Sequence, residues 1–355
     1  MTNHLISLQR LARLSGNNTQ ELDDDFLEFL IDELDQPTSP AGRLAPLLLK
    51  RLQQLKQHPA ELLRRLQFSS SVVKQLHQLQ QQWLGQVVQV LMAENIAVAP
   101  LNGAAFNDRL YPHDTPRIGA DLHLLIKEQD AARSHHCIDQ ILSPVKQSKS
   151  MHAAKFLQCN SAWKLPQKIP STLYLHHAIA PGEGFPQLAE QLFERSQPYS
   201  DATGALIRKL TVEDHLLYLA VQGTRNLSVI NHNLLDAHEI WSQWKPDQYK
   251  LLKLARQTDS SNALYILLET CRRGLDTPVP ERWLKRLPHS HLRASIGTTA
   301  FEKGALYNRD KITLRHKIRQ LLGHLIVPDK PGNFTAAARN YLIPVQTDSR
   351  QLRNP

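Results

Sequence analysis

A short block of strand-type sequence at about residues 95–180 lies between two long stretches of helical periodicity, and this arrangement most constrains the fold. Over 23–33 and 44–91, apolar residues recur every three or four positions, as on the buried face of a helix. The same period returns after residue 183, where 211–214 has the pattern of a helix N-terminal cap. The 355 residues are enough for two or three domains.

The central block alternates strand and helix patterns. The predicted strands are 96–101, 120–126, 153–158 and 171–179, and the predicted helices are 103–110 and 128–142. Such a series forms a compact sheet with helices packed on it. We therefore expect an α+β protein with a helical N-terminal region (1–94), a mixed-sheet core (95–182), a helical domain (183–290) and a basic helical tail (291–355).

Composition indicates a globular protein with no membrane partner. The chain is 41% hydrophobic and 21% charged, and it has no run of about 18 apolar residues of the kind that spans a bilayer. The first ten residues lack a signal-peptide pattern. Cys137, Cys159 and Cys271 are odd in number and far apart, which argues against a disulfide framework. We expect a cytoplasmic location.

The net charge of +9 is concentrated near the C-terminus. Residues 303–353 contain ten Lys and Arg against three Asp, a net charge of +7. A basic tail of this kind can attract nucleic acid or another phosphate-rich partner. The alternative is a solvated, solubilising surface.

Three motifs in the central block carry the chemical interest. They are Leu101-Asn102-Gly103, Leu110-Tyr111-Pro112, and the run from Arg117 to Ile126 that contains Asp121 and His123. They resemble the bacterial family of uncharacterised nucleotidyltransferases, which reads Leu-Lys-Gly, Leu-Tyr-Pro and Arg-x-x-x-Asp-Ile-Asp-Leu-Leu-Val. Later matches are 174–177, 211–217 and 235–240, so that the resemblance covers about 95–280.

The resemblance implies a small nucleotidyltransferase-like mixed sheet and a metal-dependent reaction. Such a protein moves a nucleoside monophosphate from an NTP to an acceptor, with Mg²⁺ or Mn²⁺ held by carboxylates. Two aspartates spaced i and i+2 on a strand share one face, where a third carboxylate from a neighbouring strand joins them. A glycine at a helix start allows phosphate to approach backbone N–H groups.

This chain departs from that pattern at several positions. Asp121 matches the first aspartate, but His123 stands at the second and Tyr174 at the third, while Asn102 replaces the lysine. Mg²⁺ prefers oxygen ligands, whereas imidazole suits zinc, copper or nickel. Tyrosine is neutral near pH 7. Nucleotidyl transfer is therefore expected to be impaired.

The resemblance nevertheless assigns site residues. Asp121 and His123 are the catalytic candidates, and Asn102, Gly103 and Arg117 are the candidates for nucleotide or phosphate binding. A metal site would use Asp121, His123 and His176. Each assignment has a structural alternative: Asp121 could cap a neighbouring turn, His123 could be a packed or hydrogen-bonded side chain, and Arg117 could form an ion pair. Gly103 would begin a helix in either case.

Three functions remain open from the sequence. The first is a nucleotidyltransferase that acts on an unknown acceptor. The second is a catalytically inactive member that serves as a binding or scaffold subunit for a protein partner. The third is binding of nucleic acid or phosphate through the tail at 303–353.

Overall fold

The computed structural model describes most of the chain between residues 24 and 329. The described residues are 24–35, 39–53, 59–106, 109–111, 114–117, 121–145, 159–166, 171–179, 185, 187–200, 206–224, 231–302, 323 and 326–329. The helices are α1 (Asp24–Leu34), α2 (Pro40–Arg43), α3 (Ala45–Gln53), α4 (Ala60–Ala93), α5 (Gly103–Phe106), α6 (Ala131–Asp139), α7 (Leu188–Arg195), α8 (Val212–Thr224), α9 (Asn231–Glu239), α10 (Gln248–Gln257), α11 (Ser261–Leu275), α12 (Glu281–Leu284) and α13 (His291–Glu302). The strands are β1 (Ala99–Leu101), β2 (Leu122–Leu125), β3 (Ser143–Pro144), β4 (Cys159–Lys164), β5 (Thr172–His176), β6 (Gln197–Ser200) and β7 (Leu206–Lys209). A 3₁₀ turn, Glu128–Asp130, precedes α6, and a π-helical turn, Ile240–Trp244, follows α9.

The N-terminal helices follow the apolar periodicity of the sequence. Ser39 begins α2, because its Oγ accepts the N–H of Gly42 at 2.9 Å. The long helix α4 starts directly after Pro59, where the apolar pattern is interrupted. Buried leucines from α1, α3 and the first turns of α4 pack together in one apolar cluster.

The core is a five-stranded mixed sheet in the order β1-β2-β5-β4-β3, which confirms the α+β prediction. Strand β2 is antiparallel to β1 and parallel to β5, whereas β4 is antiparallel to both β5 and β3. Leu122 and Leu124 of β2 pack in the cluster that includes α4 and α6. Leu125 belongs instead to the cluster that includes α8 and α11. His123 alternates with Leu122 and Leu124 along the strand and therefore shares the face of Leu125.

Two parts of the strand prediction differ from the structure. The predicted strand 153–158 lies outside the described residues, and β4 occupies Cys159–Lys164. The hairpin of β6 and β7 falls inside the segment that we expected to be helical. Its strands have four residues each and include Pro198, so that the local pattern for a strand is weak. The backbone N–H of Arg208 donates to the carbonyl oxygen of Val98 at 2.8 Å, which connects the hairpin to the chain just before β1.

The C-terminal helices pack into one large apolar cluster built on α8 and α11. Thr211 caps α8 as predicted, since its Oγ1 accepts the N–H of Asp214 at 3.2 Å. Residues 326–329 return to the start of α11, where the Asp329 carboxylate accepts the N–H groups of Ser261 and Asn262. Of the basic helical tail predicted at 291–355, the structure describes α13, residue 323 and residues 326–329, and the rest lies outside the described residues.

Across the described ranges, no helix has both the length and the apolar character needed to cross a bilayer.

The open space around Gly85 gives a stability prediction. A Cβ at this position in α4 would have no atom within 4 Å, whereas one at Gly223 in α8 would lie 3.3 Å from Nδ2 of Asn233. Gly85→Ala is expected to raise the free energy of unfolding by about 0.5–1 kcal/mol, because alanine loses less backbone entropy than glycine in a helix. Gly223→Ala is the matched control and should gain less in urea denaturation. An equal gain in both would contradict the packing difference.

Candidate functional site

One face of the sheet brings together most of the candidate site residues. Parallel pairing of β2 and β5 places His123 beside Tyr174 and Leu125 beside His176. The ring of His123 stacks on that of Tyr174 with a centroid separation of 5.1 Å and on that of His176 at 5.2 Å. Nδ1 of His123 lies 2.9 Å from Nε2 of His176. We call these two residues the histidine pair.

The hydrogen bond limits the charge of the histidine pair. In a bond between two ring nitrogens, one nitrogen must donate and the other must accept. At least one of the two rings is therefore neutral while the bond exists, and the pair carries at most one positive charge. Aspartates at the second and third carboxylate positions, 123 and 174, would carry two negative charges. With His123 and Tyr174 there, this part of the face lacks both of these charges.

Asp121 has a structural role in addition to its candidate catalytic one. Its Oδ1 accepts the backbone N–H of Thr172 at 3.0 Å, at the start of β5. This contact corresponds to the capping alternative that we left open for the residue.

The donor set on this face does not fit Mg²⁺. It has one carboxylate, two imidazoles and a phenol, whereas Mg²⁺ takes oxygen ligands in octahedral geometry. Within the described residues, no group of three or more His, Cys, Asp or Glu side chains is placed to hold a metal ion. Asp121, His123 and His176 do not form such a group here, and a metal site that uses them stays a prediction.

Asn102 and Gly103 form the junction between β1 and α5. Asn102 has a left-handed backbone (φ 53°), which asparagine tolerates better than most residues, and Gly103 begins α5 as predicted. Nδ2 of Asn102 lies 3.4 Å from the hydroxyl of Tyr218 on α8, a long contact. Its Oδ1 is buried and has no hydrogen-bond partner among the described residues. The side chain that replaces the family's lysine therefore faces α8.

Arg117 forms the ion pair that we considered as the alternative to phosphate binding. Its guanidinium Nη2 lies 2.6 Å from Oδ2 of Asp236 on α9, and the two side chains are 4% and 0% exposed. The hydroxyl of Tyr111 donates to Oδ1 of the same carboxylate at 2.7 Å. Burial raises the pKa of Asp236 to about 6, against the opposing effects of Arg117 and Tyr111. Arg117 as a phosphate contact stays a prediction that this buried geometry does not favour.

Tyr111, Arg117 and Asp236 come from three separate sequence motifs. Nothing in the sequence showed that they contact one another. The structure joins these motifs in one buried network, although Arg117 and Asp236 are 119 positions apart. In the sequence, Arg117 and Asp236 each stand as a charged residue among apolar ones. A buried charge requires a partner, but the sequence alone could not identify which carboxylate it is.

Helix α8, whose Tyr218 lies near Asn102, contains a fully buried histidine. His215 contacts Phe106 with a centroid distance of 5.1 Å and Trp244 at 5.7 Å. Neither of its ring nitrogens has a hydrogen-bond partner among the described residues. Burial, together with the positive charges of Arg109 and Lys209, lowers the pKa of His215 to about 3. The imidazole is therefore neutral near pH 7.

The candidate site thus lies on a mixed sheet with helices on both faces, with Asp121 directly before β2 and His123 on it. The chain belongs to the family of uncharacterised nucleotidyltransferases, whose model matches residues 38–276. The match includes the sheet, the histidine pair and the Arg117–Asp236 network, and it confirms the resemblance drawn from the motifs. No curated protein and no solved structure matches the chain.

The Arg117–Asp236 pair gives a second stability prediction. Arg117→Met and Asp236→Asn are each expected to lower the free energy of unfolding by about 3–5 kcal/mol, because each leaves a buried group without its partner. The measurement is urea denaturation. Lys285→Met is the control: it breaks the exposed pair with Glu281 and should cost no more than about 1 kcal/mol. A loss below about 1 kcal/mol in both buried variants would show that the network does not support the fold.

His215 gives a pH prediction. Its folded pKa of about 3 lies below the ordinary value of 6.5, so that the unfolded chain binds the proton more tightly. The stability that depends on the neutral ring is complete above pH 6.5 and is lost as the pH falls from 6.5 towards 3. Between pH 7 and pH 5, the wild type should lose about 2 kcal/mol relative to His215→Leu. If the free energies of unfolding of the two proteins change with pH by the same amount, the lowered pKa of His215 is excluded.

Proposed function

We propose that this chain binds a nucleoside triphosphate on the sheet face of Asp121 and the histidine pair, and that it does so without Mg²⁺. In this proposal it acts as a nucleotide-binding subunit for a protein partner and no longer transfers a nucleoside monophosphate efficiently. The observation that carries the proposal is that His123, at the second carboxylate position, is hydrogen-bonded to His176, while Tyr174 occupies the third carboxylate position.

The charge of the face supports binding without a metal. A face with several carboxylates repels a triphosphate unless a cation lies between them. With one carboxylate and a neutral or singly positive histidine pair, that repulsion is largely absent. An imidazole N–H can donate directly to a phosphate oxygen, and a charged imidazolium does so more strongly.

The retained carboxylate supports a second candidate function. Asp121 stands at the first aspartate position of the motif, directly before β2. In this alternative the chain is a nucleotidyltransferase with reduced activity that uses Mn²⁺ or Mg²⁺ and an unidentified acceptor. It requires metal-dependent binding and release of pyrophosphate, both lost in Asp121→Ala.

The hypothesis of nucleic-acid binding depends on residues 303–353, nearly all of which lie outside the described residues. It stays a prediction. Binding through this segment should weaken steeply as the salt concentration rises, because it would release counterions from phosphates.

Calorimetry with the four NTPs tests the proposal and separates it from the alternative. Each NTP is titrated in Mg²⁺, in Mn²⁺ and in EDTA. We expect binding that persists in EDTA, is weakened about tenfold or more by His123→Ala, and is unaffected by Asp32→Asn at an exposed position of α1. Binding that requires metal and disappears in Asp121→Ala would favour the enzyme instead. No binding under any condition would refute both.

A gain-of-carboxylate variant tests the same reasoning in the opposite direction. His123→Asp restores the Asp-x-Asp spacing on β2 and breaks the bond to His176. Triphosphate binding in EDTA should weaken, because a negative charge replaces a donor, and binding in Mg²⁺ should become stronger than binding in EDTA. Calorimetry of this variant in the two buffers gives the comparison. An unchanged EDTA affinity would indicate that His123 does not contact the ligand.

A further inference from the structure

Two cations lie against one aromatic ring beside α5. The guanidinium carbon of Arg109 is 5.9 Å from the ring centroid of Tyr199, and Nζ of Lys209 is 5.3 Å from the same centroid. Arg109 also lies over the ring of Trp244 at 4.8 Å. Aromatic faces attract cations, so that these rings hold both charges in place. We call these four residues the cation cluster.

Neither cation has a carboxylate partner among the described residues. Burial lowers the pKa of Arg109, and the phenol of Tyr199 opposes this effect. Burial also lowers the pKa of Lys209, and the positive charge of Arg109 lowers it further. Both side chains are half-buried. Two like charges that are partly removed from water and lack a counterion form an unfavourable arrangement, which a bound anion would relieve.

A buried histidine, His215, lies beside the cation cluster. His215 contacts the ring of Trp244, and its unpartnered ring nitrogens are fully buried. Its neutral ring carries one N–H donor. An unpartnered polar group costs free energy unless a ligand or a water molecule satisfies it. Arg109 and Lys209 both lower the pKa of His215, which indicates that the two cations lie near each other and near this ring.

Separate parts of the chain supply the cluster. Arg109 follows α5, Tyr199 and Lys209 lie on the two strands of the β6–β7 hairpin, and Trp244 ends the π-helical turn. Lys245, directly after it, has a left-handed backbone (φ 47°). Single π-helical turns occur frequently at functional sites. The cluster uses none of the residues assigned to the sheet-face site.

We propose that Arg109, Lys209, Tyr199 and Trp244 form a binding site for a phosphate-bearing ligand. Two cations match the charge of about −1.5 to −2 on a phosphate monoester near pH 7, and pyrophosphate carries more negative charge still, whereas a single carboxylate would leave one cation unpaired. Arg109 can offer two parallel N–H donors to phosphate oxygens, and Lys209 adds a point charge. The rings of Tyr199 and Trp244 orient the cations.

Titration calorimetry of the full chain with inorganic pyrophosphate, at low ionic strength, tests the site. The titrations use a His123→Ala background, in which the sheet-face site cannot contribute. We expect saturable binding that Arg109→Met and Lys209→Met each weaken tenfold or more and that the double variant abolishes. Lys253→Met, at an exposed position of α10, is the matched control and should bind as the wild type does. Acetate should not compete. Equal losses in Lys253→Met would show non-specific attraction to surface charge and overturn the proposal.

Two further measurements keep the result interpretable. Asp121→Ala should leave pyrophosphate binding unchanged, so that failure of the nucleotide proposal does not affect this one. If the cation variants fold poorly, tryptophan fluorescence replaces calorimetry, with the wild type compared with Trp244→Phe. Pyrophosphate should change the emission of the wild type but not that of Trp244→Phe. The absence of pyrophosphate binding by the folded wild type would refute the site.

Discussion

The buried ion pair between Arg117 and Asp236 connects the segment before β2 to the C-terminal helices. The candidate site uses residues that follow this segment. Arg117 lies in the segment that leads into β2, and Asp236 lies on α9 among the C-terminal helices. Asp121 and His123 follow within six residues of Arg117, so that the ion pair limits how far the start of β2 can lie from α9. Because both charges are almost fully buried, the pair cannot loosen without exposing or orphaning one of them. Arg117, which the resemblance assigns to phosphate binding, is therefore held in a buried ion pair that supports the fold.

The chemistry of the site has changed in a consistent direction. The sheet face has one carboxylate beside a hydrogen-bonded histidine pair, and the neighbouring cluster around Arg109 and Lys209 contributes two cations without acids. Both features favour direct contact with phosphate over contact through a metal ion. A protein of this family can keep affinity for phosphate while it loses the reaction, because binding needs donors and positive charge, whereas transfer needs a metal at the reacting phosphorus.

The helices and the central strands were predictable from local pattern. Long apolar periodicities gave α4 and α11, and short apolar runs gave β2 and β5. The β6–β7 hairpin was not predictable, since its short strands carry polar residues and a proline, and pairing to Val98 determines it. For the same reason the cation cluster could not be found in advance: Lys209 becomes its member only through that hairpin.

The sequence by itself determined which chemical groups the site can contain. Asp121 and His123, two positions apart on a strand, had to share a face, and the loss of two acids was visible without a structure. Only the tertiary structure decided their partners: His176 for His123, Asp236 for Arg117, and Arg109 for Lys209. These residues are far apart along the chain. Their contacts depend on strand register and on the packing of helices against the sheet, which periodicity along a single segment does not specify.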